Sequence, residues 1–317
     1  MEITQYEKRL YGNAVKVISR EPNCIQYDMS NETGSAVMTS YDIFPGIQLI
    51  YNDVHIHEIA VDTKVPENIL EINHCREGRI ECEFNRGECL YISKGDLVIN
   101  LKADIGKRSS FPLNHYHGIT IAVDFDRISR PIFQIWGDVK IDLYQLKKKL
   151  CGNKSFIIMR ENEKIEHIFS ELYDVPHEIR QGYFKLKVLE IFLVLSVMED
   201  EDLQKKYYSK KQVDTIKEIR AYLVNHLEQK ITIEQLSAQF KIPTTTMKLI
   251  FKGVYGSSIY AFIKGYKMQK AALLLRETNI EIGEIAMKMG YDNASKFSEA
   301  FKKTMGCTPR NYRNASK

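Results

Sequence analysis

At 317 residues with 44% apolar side chains, the chain is long enough for two domains and has the composition of an ordinary globular protein. Its formal net charge of +4 is unevenly spread: residues 211–317 hold 18 Lys/Arg against 9 Asp/Glu, and the other 210 residues hold 27 against 32. A basic third joined to an acidic remainder points to a polyanion-binding module carried by a domain that does not bind polyanions.

In chain order, Met1 to Leu10 is polar and charged, unlike a signal peptide. The next ~120 residues alternate in the manner of short strands separated by turns. Ile47 to Tyr51, Ile80 to Phe84, Cys89 to Ile92, Leu97 to Leu101 and Ile119 to Phe125 are predicted strands. Asn85-Arg86-Gly87-Glu88 and Lys94-Gly95-Asp96 are predicted turns. Such a pattern suggests an antiparallel barrel or sandwich. Helical periodicity follows: Asp142 to Leu150, capped by Gly152; Glu163 to Tyr173, broken at Val175-Pro176; and Glu178 to Met198. Val188 to Met198 is the most apolar run, interrupted by Glu190, and falls short of the ~20 residues of a membrane span. A helix apolar on more than one face must bury both, so Leu186, Leu189, Leu193 and Val197 are expected to dimerise two copies of the chain. Glu199 to Lys211 is the predicted linker.

The C-terminal third contains a repeat. Ile233, Leu236 and Phe240 align with Ile282, Ile285 and Met289 at an offset of 49; Met247, Phe251, Lys252 and Gly256 align with Phe297, Phe301, Lys302 and Gly306 at an offset of 50. Each copy reads as a short helix, a tight turn and a longer helix. Thr232 and Gln235 suit a capping box, Pro243 suits the first turn of a helix, Gly290 suits a tight turn, and Asp292 suits a helix cap. Phe297, Ala300 and Phe301 are expected to face inward. Ile259 to Arg276 would join the copies as one long helix.

The stretch Ile282 to Arg313, IGEIAMKMGYDNASKFSEAFKKTMGCTPRNYR, resembles the signature of the AraC/XylS family of transcription regulators. Its matching elements are Ile285-Ala286, Gly290-Tyr291, Ser295, Phe297, Phe301-Lys302, Gly306, Pro309 and Tyr312-Arg313. The resemblance implies an α+β protein: a β-rich barrel or jelly-roll-like (cupin-like) effector-binding domain over 1–160, a helical dimerisation segment over 161–200, and an all-α domain with two helix-turn-helix units over 205–317. It also implies a cytoplasmic homodimer that binds promoter DNA, works with RNA polymerase as an activator, and responds to a small effector. Two recognition helices would then enter successive major-groove faces, about 34 Å apart. By position, the base-reading candidates are Thr245, Lys248 and Leu249 in the first unit, and Ala294, Ser295, Ser298 and Glu299 in the second. The family often carries Arg where Glu299 stands, and a polar or basic residue where Leu249 stands. Glu299 suits a cytosine amino group or a pairing with Lys302 or Lys303; Leu249 suits a thymine methyl or simple packing. Lys252, Lys296, Lys302, Lys303, Arg310 and Arg313 are the phosphate candidates. The stretches Glu71 to Phe84 and His115 to Phe125 resemble those of the iron–siderophore regulator subgroup.

No cofactor is expected, and there is no nucleophile–base signature, phosphate loop or paired-carboxylate motif, so an enzyme is not expected. The alternative is a cupin-type metal-binding enzyme or metal sensor fused to a DNA-binding module. It would use His55, His57, His115 and His117, because residues two apart in a strand share a face. Their spacing does not match the usual cupin motif, and a half-exposed polar strand explains them equally. The six cysteines form no CxxC pair and read as free thiols. Cys75, Cys82 and Cys89 recur every seven residues, which a hairpin explains without redox chemistry. Tyr41, Phe44, Tyr51, Phe84, Tyr91, Phe111 and Tyr116 are expected in the core, with some lining a cavity.

Overall fold

The computed structural model describes residues 2–61, 63–84, 88–128, 141–152, 156–159, 163–198 and 208–315. The chain divides into two compact units, Met1–Ser209 and Lys210–Lys317.

The first unit opens with helix α1 (Gln5–Tyr11), which the polar N-terminal residues did not suggest. Thr4 and Glu7 build a capping box: Glu7 Oε2 accepts from the Thr4 amide at 2.7 Å, and Thr4 Oγ1 accepts from the Glu7 amide at 3.2 Å. Leu10 and Tyr11 on this helix are buried beside Val15, Tyr27 and Ile69.

Among the described residues twelve strands are present, and every pairing between them is antiparallel. They are β1 (Lys16–Glu21), β2 (Cys24–Asp28), β3 (Ser35–Phe44), β4 (Ile47–His55), β5 (Glu58–Ala60), β6 (Ile69–Phe84), β7 (Glu88–Ser93), β8 (Leu97–Leu101), β9 (Ile105–Ser110), β10 (Tyr116–Asp124), β11 (Phe156–Met159) and β12 (Tyr208–Ser209). The five strands read from the sequence are all present, though β4 and β6 run longer than their apolar alternation. β6 belongs to two layers. Its first half lies between β10 and β8, and its second half between β7 and β9. A register shift opposite His117/Gly118 leaves Arg76 without a counterpart, and Gly78 follows at φ +82°. A bulge of this kind bends a strand, and glycine is required at the bend: a Cβ on Gly78 would lie 2.0 Å from the His115 carbonyl oxygen.

The strand β6 thus joins a main sheet, β1-β2-β3-β4-β10-β6-β8-β11, to a smaller one, β12-β7-β6-β9-β5. One face of the main sheet presents Leu49, Ile72, Ile99, Ile119, Ile121 and Val123 to three helices, α2 (Leu143–Cys151), α3 (Glu163–Ser170) and α4 (Arg180–Val197). The opposite face meets the smaller sheet around Val54, Cys75, Cys82, Ile92, Phe111 and Tyr116. Helix α2 closes at Gly152 as expected, and the Asp142 side chain caps its start. Residues 85–87 of the predicted turn at 85–88 and most of the predicted linker, 199–207, lie outside the described residues, and Glu88 opens β7. The last part of that linker is structured: Tyr208 and Ser209 pair with β7, and a helix begins at Lys210. No described helix is long and apolar enough to cross a membrane.

The second unit is all helical: α5 (Lys210–Asn225), α6 (Ile233–Phe240), α7 (Thr244–Tyr255), α8 (Ile259–Glu277), α9 (Ile282–Lys288), α10 (Ala294–Met305) and α11 (Pro309–Ala315). Helix α8 serves two packed groups. Near its start Phe262 meets Phe251 and Tyr255 of α7, with the Arg220 guanidinium over the Phe262 ring at 5.7 Å and the Tyr255 ring at 5.8 Å. Further along, Met268, Ala271, Ala272 and Leu275 pack with Ile285, Ala286, Met289, Phe297 and Phe301.

Candidate nucleic-acid interface

The two repeat copies close their turns by the same hydrogen bonds. In the first, Lys241 takes a left-handed conformation (φ 51°), and the Ile242 amide donates to the Ser237 carbonyl at 3.2 Å. In the second, Gly290 takes φ +74°, and the Tyr291 amide donates to the Ala286 carbonyl at 2.9 Å. Each of these residues sits 49 positions from its counterpart. The longer helices also end alike: Gly256 (φ 77°) and Gly306 (φ 81°) donate to the carbonyls of Lys252 and Lys302 at 2.8 and 2.9 Å.

The starts of α7 and α10 differ. The capping box of Thr232 and Gln235 opens α6 as read from the sequence. Pro243 stands one residue earlier than expected, at the cap position before the first helical residue of α7. Asp292 does not cap α10. Asn293 does, its Oδ1 accepting from the Ser295 amide at 2.7 Å and from the Lys296 amide at 3.4 Å. Asp292 instead pairs with Lys230. The inserted residue of the second copy is therefore spent on tying the turn to the residues that precede α6.

Met247, Ile250, Phe251 and Val254 turn one side of α7 inward, while Thr245, Lys248, Leu249 and Lys252 are exposed. Leu249 is 61% exposed, which removes packing as its reason and leaves an apolar side chain set among lysines. On α10, Phe297 and Phe301 are fully buried and Ala300 packs beside them. Ala294, Ser295, Lys296, Glu299, Lys302 and Lys303 are exposed, and Ser298 is half-buried. Among the described residues Glu299 makes no ion pair, so its carboxylate is not committed to Lys302 or Lys303. Arg310 is exposed at the start of α11. Arg313 corrects the reading from sequence: it is half-buried, and its guanidinium donates to the Ile280 carbonyl at 2.5 Å and the Leu275 carbonyl at 3.4 Å. It fastens α11 to the end of α8, so the side chain is anchored through two of its N–H groups rather than extended freely toward solvent.

The first unit holds a cavity of about 160 Å³ between its two sheets. Its walls are mostly apolar (Met38, Ile50, Ile80, Ile92, Phe111 and Tyr116 among them), and a row of polar side chains crosses its floor. Asn52 donates to Thr120 Oγ1 at 3.0 Å, Thr120 donates to Asn73 Oδ1 at 2.8 Å, and Asn73 donates to Asn100 Oδ1 at 3.3 Å. Glu71 and Lys102 pair at 2.6 Å beside them. Neither the row nor the ion pair is marked by a sequence motif, because its members come from four strands far apart in the chain. Of the aromatic residues expected in the core, Phe111 and Tyr116 also line this cavity.

The histidines separate into two groups. His55, His115 and His117 converge, whereas His57 stands apart with its Nδ1 3.2 Å from Asn114 Oδ1. Cys75, Cys82 and Cys89 are buried. Burial pushes the Cys82 thiol up to about 12 and Cys75 higher still, which makes both poor nucleophiles.

Residues 236–315 match a family model described as a helix-turn-helix domain. Over 160 residues the chain is 29% identical to YdiP, an HTH-type transcriptional regulator of Escherichia coli K12, covering 49% of this chain and 52% of that protein. It is 31% identical to the transcriptional regulator Rob of Salmonella typhimurium over 105 residues, covering 33% of this chain and 36% of Rob. It is 25% identical to the HTH-type transcriptional activator RhaR of Mannheimia succiniciproducens over 234 residues, covering 72% of this chain and 76% of RhaR. The chain thus spans about half the length of YdiP and about a third of Rob. The match falls on the helices whose turns, caps and buried faces repeat, so the C-terminal unit carries a helix-turn-helix domain similar to those of AraC/XylS-type regulators.

Proposed function

We propose that the protein is a transcription regulator that binds promoter DNA through two helix-turn-helix units, α6–α7 and α9–α10. The observation that carries this reading is the matched pair of exposed helix faces. Each sits on the same turn and the same glycine cap, and each ends in a lysine at the equivalent position, Lys252 and Lys302. Thr245, Lys248 and Leu249 would read bases from α7, and Ala294, Ser295, Ser298 and Glu299 from α10. An exposed leucine suits a thymine methyl, and an unpaired carboxylate suits a cytosine amino group. Lys252, Lys296, Lys302, Lys303 and Arg310 would neutralise phosphates, releasing counterions and making affinity fall steeply with salt.

The first unit, a jelly-roll-like pair of sheets, would hold a small effector in its inter-sheet cavity. Mostly apolar walls with a few converging polar groups are the usual makeup of such a site, and a volume of about 160 Å³ restricts it to ligands smaller than drug-sized ones. The effector would act by favouring one arrangement of a homodimer on its half-sites, and through it the recruitment of RNA polymerase. No catalysis is assigned to the chain.

Mobility shifts on genomic promoter fragments at two or more salt concentrations test the interface. Lys302→Ala should weaken binding on every fragment and reduce the slope of log K against log salt by about 1. If affinity and slope are both unchanged, Lys302 does not touch the backbone and the α10 assignment fails.

A further inference from the structure

Four polar side chains gather where strands β4 and β10 run beyond the helices that cover the main sheet. The two strands are antiparallel with Asp53 opposite His117 and Val54 opposite Tyr116. Alternation therefore puts Asp53, His55 and His117 on one face, and His115, the residue before β10, comes in beside them. It is the face that carries Leu49, Ile119 and Ile121 under the helices, continued past their edge. His55 Nε2 lies 2.9 Å and His117 Nε2 2.7 Å from the same Asp53 Oδ1, and the two nitrogens are 3.3 Å apart. His115 completes the group, with its Nδ1 3.4 Å from His55 Nδ1 and its Nε2 3.4 Å from Glu77 Oε2 on β6. One nitrogen from each of the three histidines falls within a 4.8 Å circle.

We propose that His55, His115 and His117, with Asp53 as the fourth ligand, bind a divalent first-row transition ion of the zinc type. Zn–N bonds of about 2.0–2.1 Å in a tetrahedron place ligand atoms roughly 3.3 Å apart, which is the separation already present between the Nε2 atoms of His55 and His117. Three imidazoles and one carboxylate select zinc, nickel or copper over magnesium and calcium, which prefer all-oxygen shells. Asp53, His55 and His117 stand on paired strands and His115 directly precedes β10, so little backbone has to be ordered on binding. All four are reachable from solvent, which gives the ion a path of entry. The site also abuts the cavity: Val54 lies between Asp53 and His55, Tyr116 lies between His115 and His117, and both point through the sheet to line it. An ion would clamp the backbone on either side of these two side chains and so act together with whatever the cavity holds.

The test uses the full chain without an affinity tag, stripped with chelator and titrated with ZnCl2 by calorimetry, with metal content measured after dialysis. One zinc per chain is expected, with no heat from MgCl2. Binding should weaken by at least about tenfold in His55→Ala and in His117→Ala, and should be unchanged in His57→Ala. Cobalt in place of zinc should give the visible absorption of a tetrahedral ion, lost in the same two variants. Because both side chains are half-exposed, the metal-free variants should melt with the parent, which separates loss of ligand from loss of fold. Failure to retain zinc would overturn the proposal, leaving an ordinary polar patch. Zinc binding that survives the His55→Ala/His117→Ala double variant would overturn it equally, by assigning the ion to other groups.

Discussion

His74 stands on β6 with its ring stacked on Phe169 at 4.4 Å and its Nε2 3.0 Å from Glu166 Oε2 of α3. It is fully buried, and its Nδ1 has no hydrogen-bond partner among the described residues. Burial is the largest influence on its basicity and lowers it, and the Glu166 and Asp96 carboxylates oppose this without reversing it. With a depressed folded value, the unfolded chain takes up the proton first as the pH falls. The stability held by the neutral ring is complete above the free-histidine value of about 6.5 and is lost as the pH drops from there toward the folded value. His74→Phe keeps the stacking shape and removes the titration. Its thermal midpoint should fall less than the parent's between about pH 7.5 and 5.5; parallel curves would mean that His74 does not contribute. No sequence pattern distinguishes His74 from the other histidines, since what isolates it is a helix that lies 92 positions further on. The capping box of Thr4 and Glu7 is the opposite case: the Thr-x-x-Glu spacing was legible, yet a polar decapeptide gave no reason to expect a buried helix there.

Among elements, the repeat is where local chemistry and fold agree most closely. The equivalence of Lys241 and Gly290 shows what the turn demands: a left-handed residue, whatever its side chain. Gly290 also has no room, since a Cβ there would lie 2.7 Å from the Leu227 carbonyl oxygen and 3.0 Å from that of Glu228. Gly290→Ala should therefore cost about 1–3 kcal/mol. Lys241→Gly, at an exposed position already held at positive φ, should stabilise by up to about 1 kcal/mol. Urea unfolding of the two variants measures both; a loss of stability in Lys241→Gly would show that the lysine side chain matters to the turn. The strands were less legible. β4, β6, β7, β8 and β10 were read, but β1, β2, β3, β5, β9, β11 and β12 were not; β1 and β5 bury no side chain and β11 buries all four, so none of these three shows a buried face with a period of two.

For the whole molecule, the open question of assembly centres on α4. Its inner side, Phe184, Val188, Ile191, Phe192 and Leu195, is packed on the main sheet, and Leu189 joins that packing rather than the outer surface where the sequence reading had it. Leu186, Leu193 and Val197 remain exposed, at 67, 44 and 78%. Three large apolar side chains at helical spacing on one outer stripe are costly to leave in water, and a second copy of the stripe would cover them. Replacing Leu186 and Leu193 together with Asp should halve the mass seen in sedimentation while leaving the fold intact, because neither side chain is part of the core; an unchanged mass would remove α4 from the interface. The sequence by itself determined the C-terminal unit. Its helices, turns and caps are set by residues within a few positions of one another, and the repeat displays them twice. Tertiary structure decided the rest. It turned Arg313 inward onto two carbonyls and gathered Asn52, Asn73 and Thr120 on a cavity floor, with Asn100 bonded to Asn73. It also drew His55, His115 and His117 together while leaving His57 aside. Each of these outcomes depends on which strands become neighbours and in what register, and that is settled by burial of whole sheet faces rather than by any short stretch of chain.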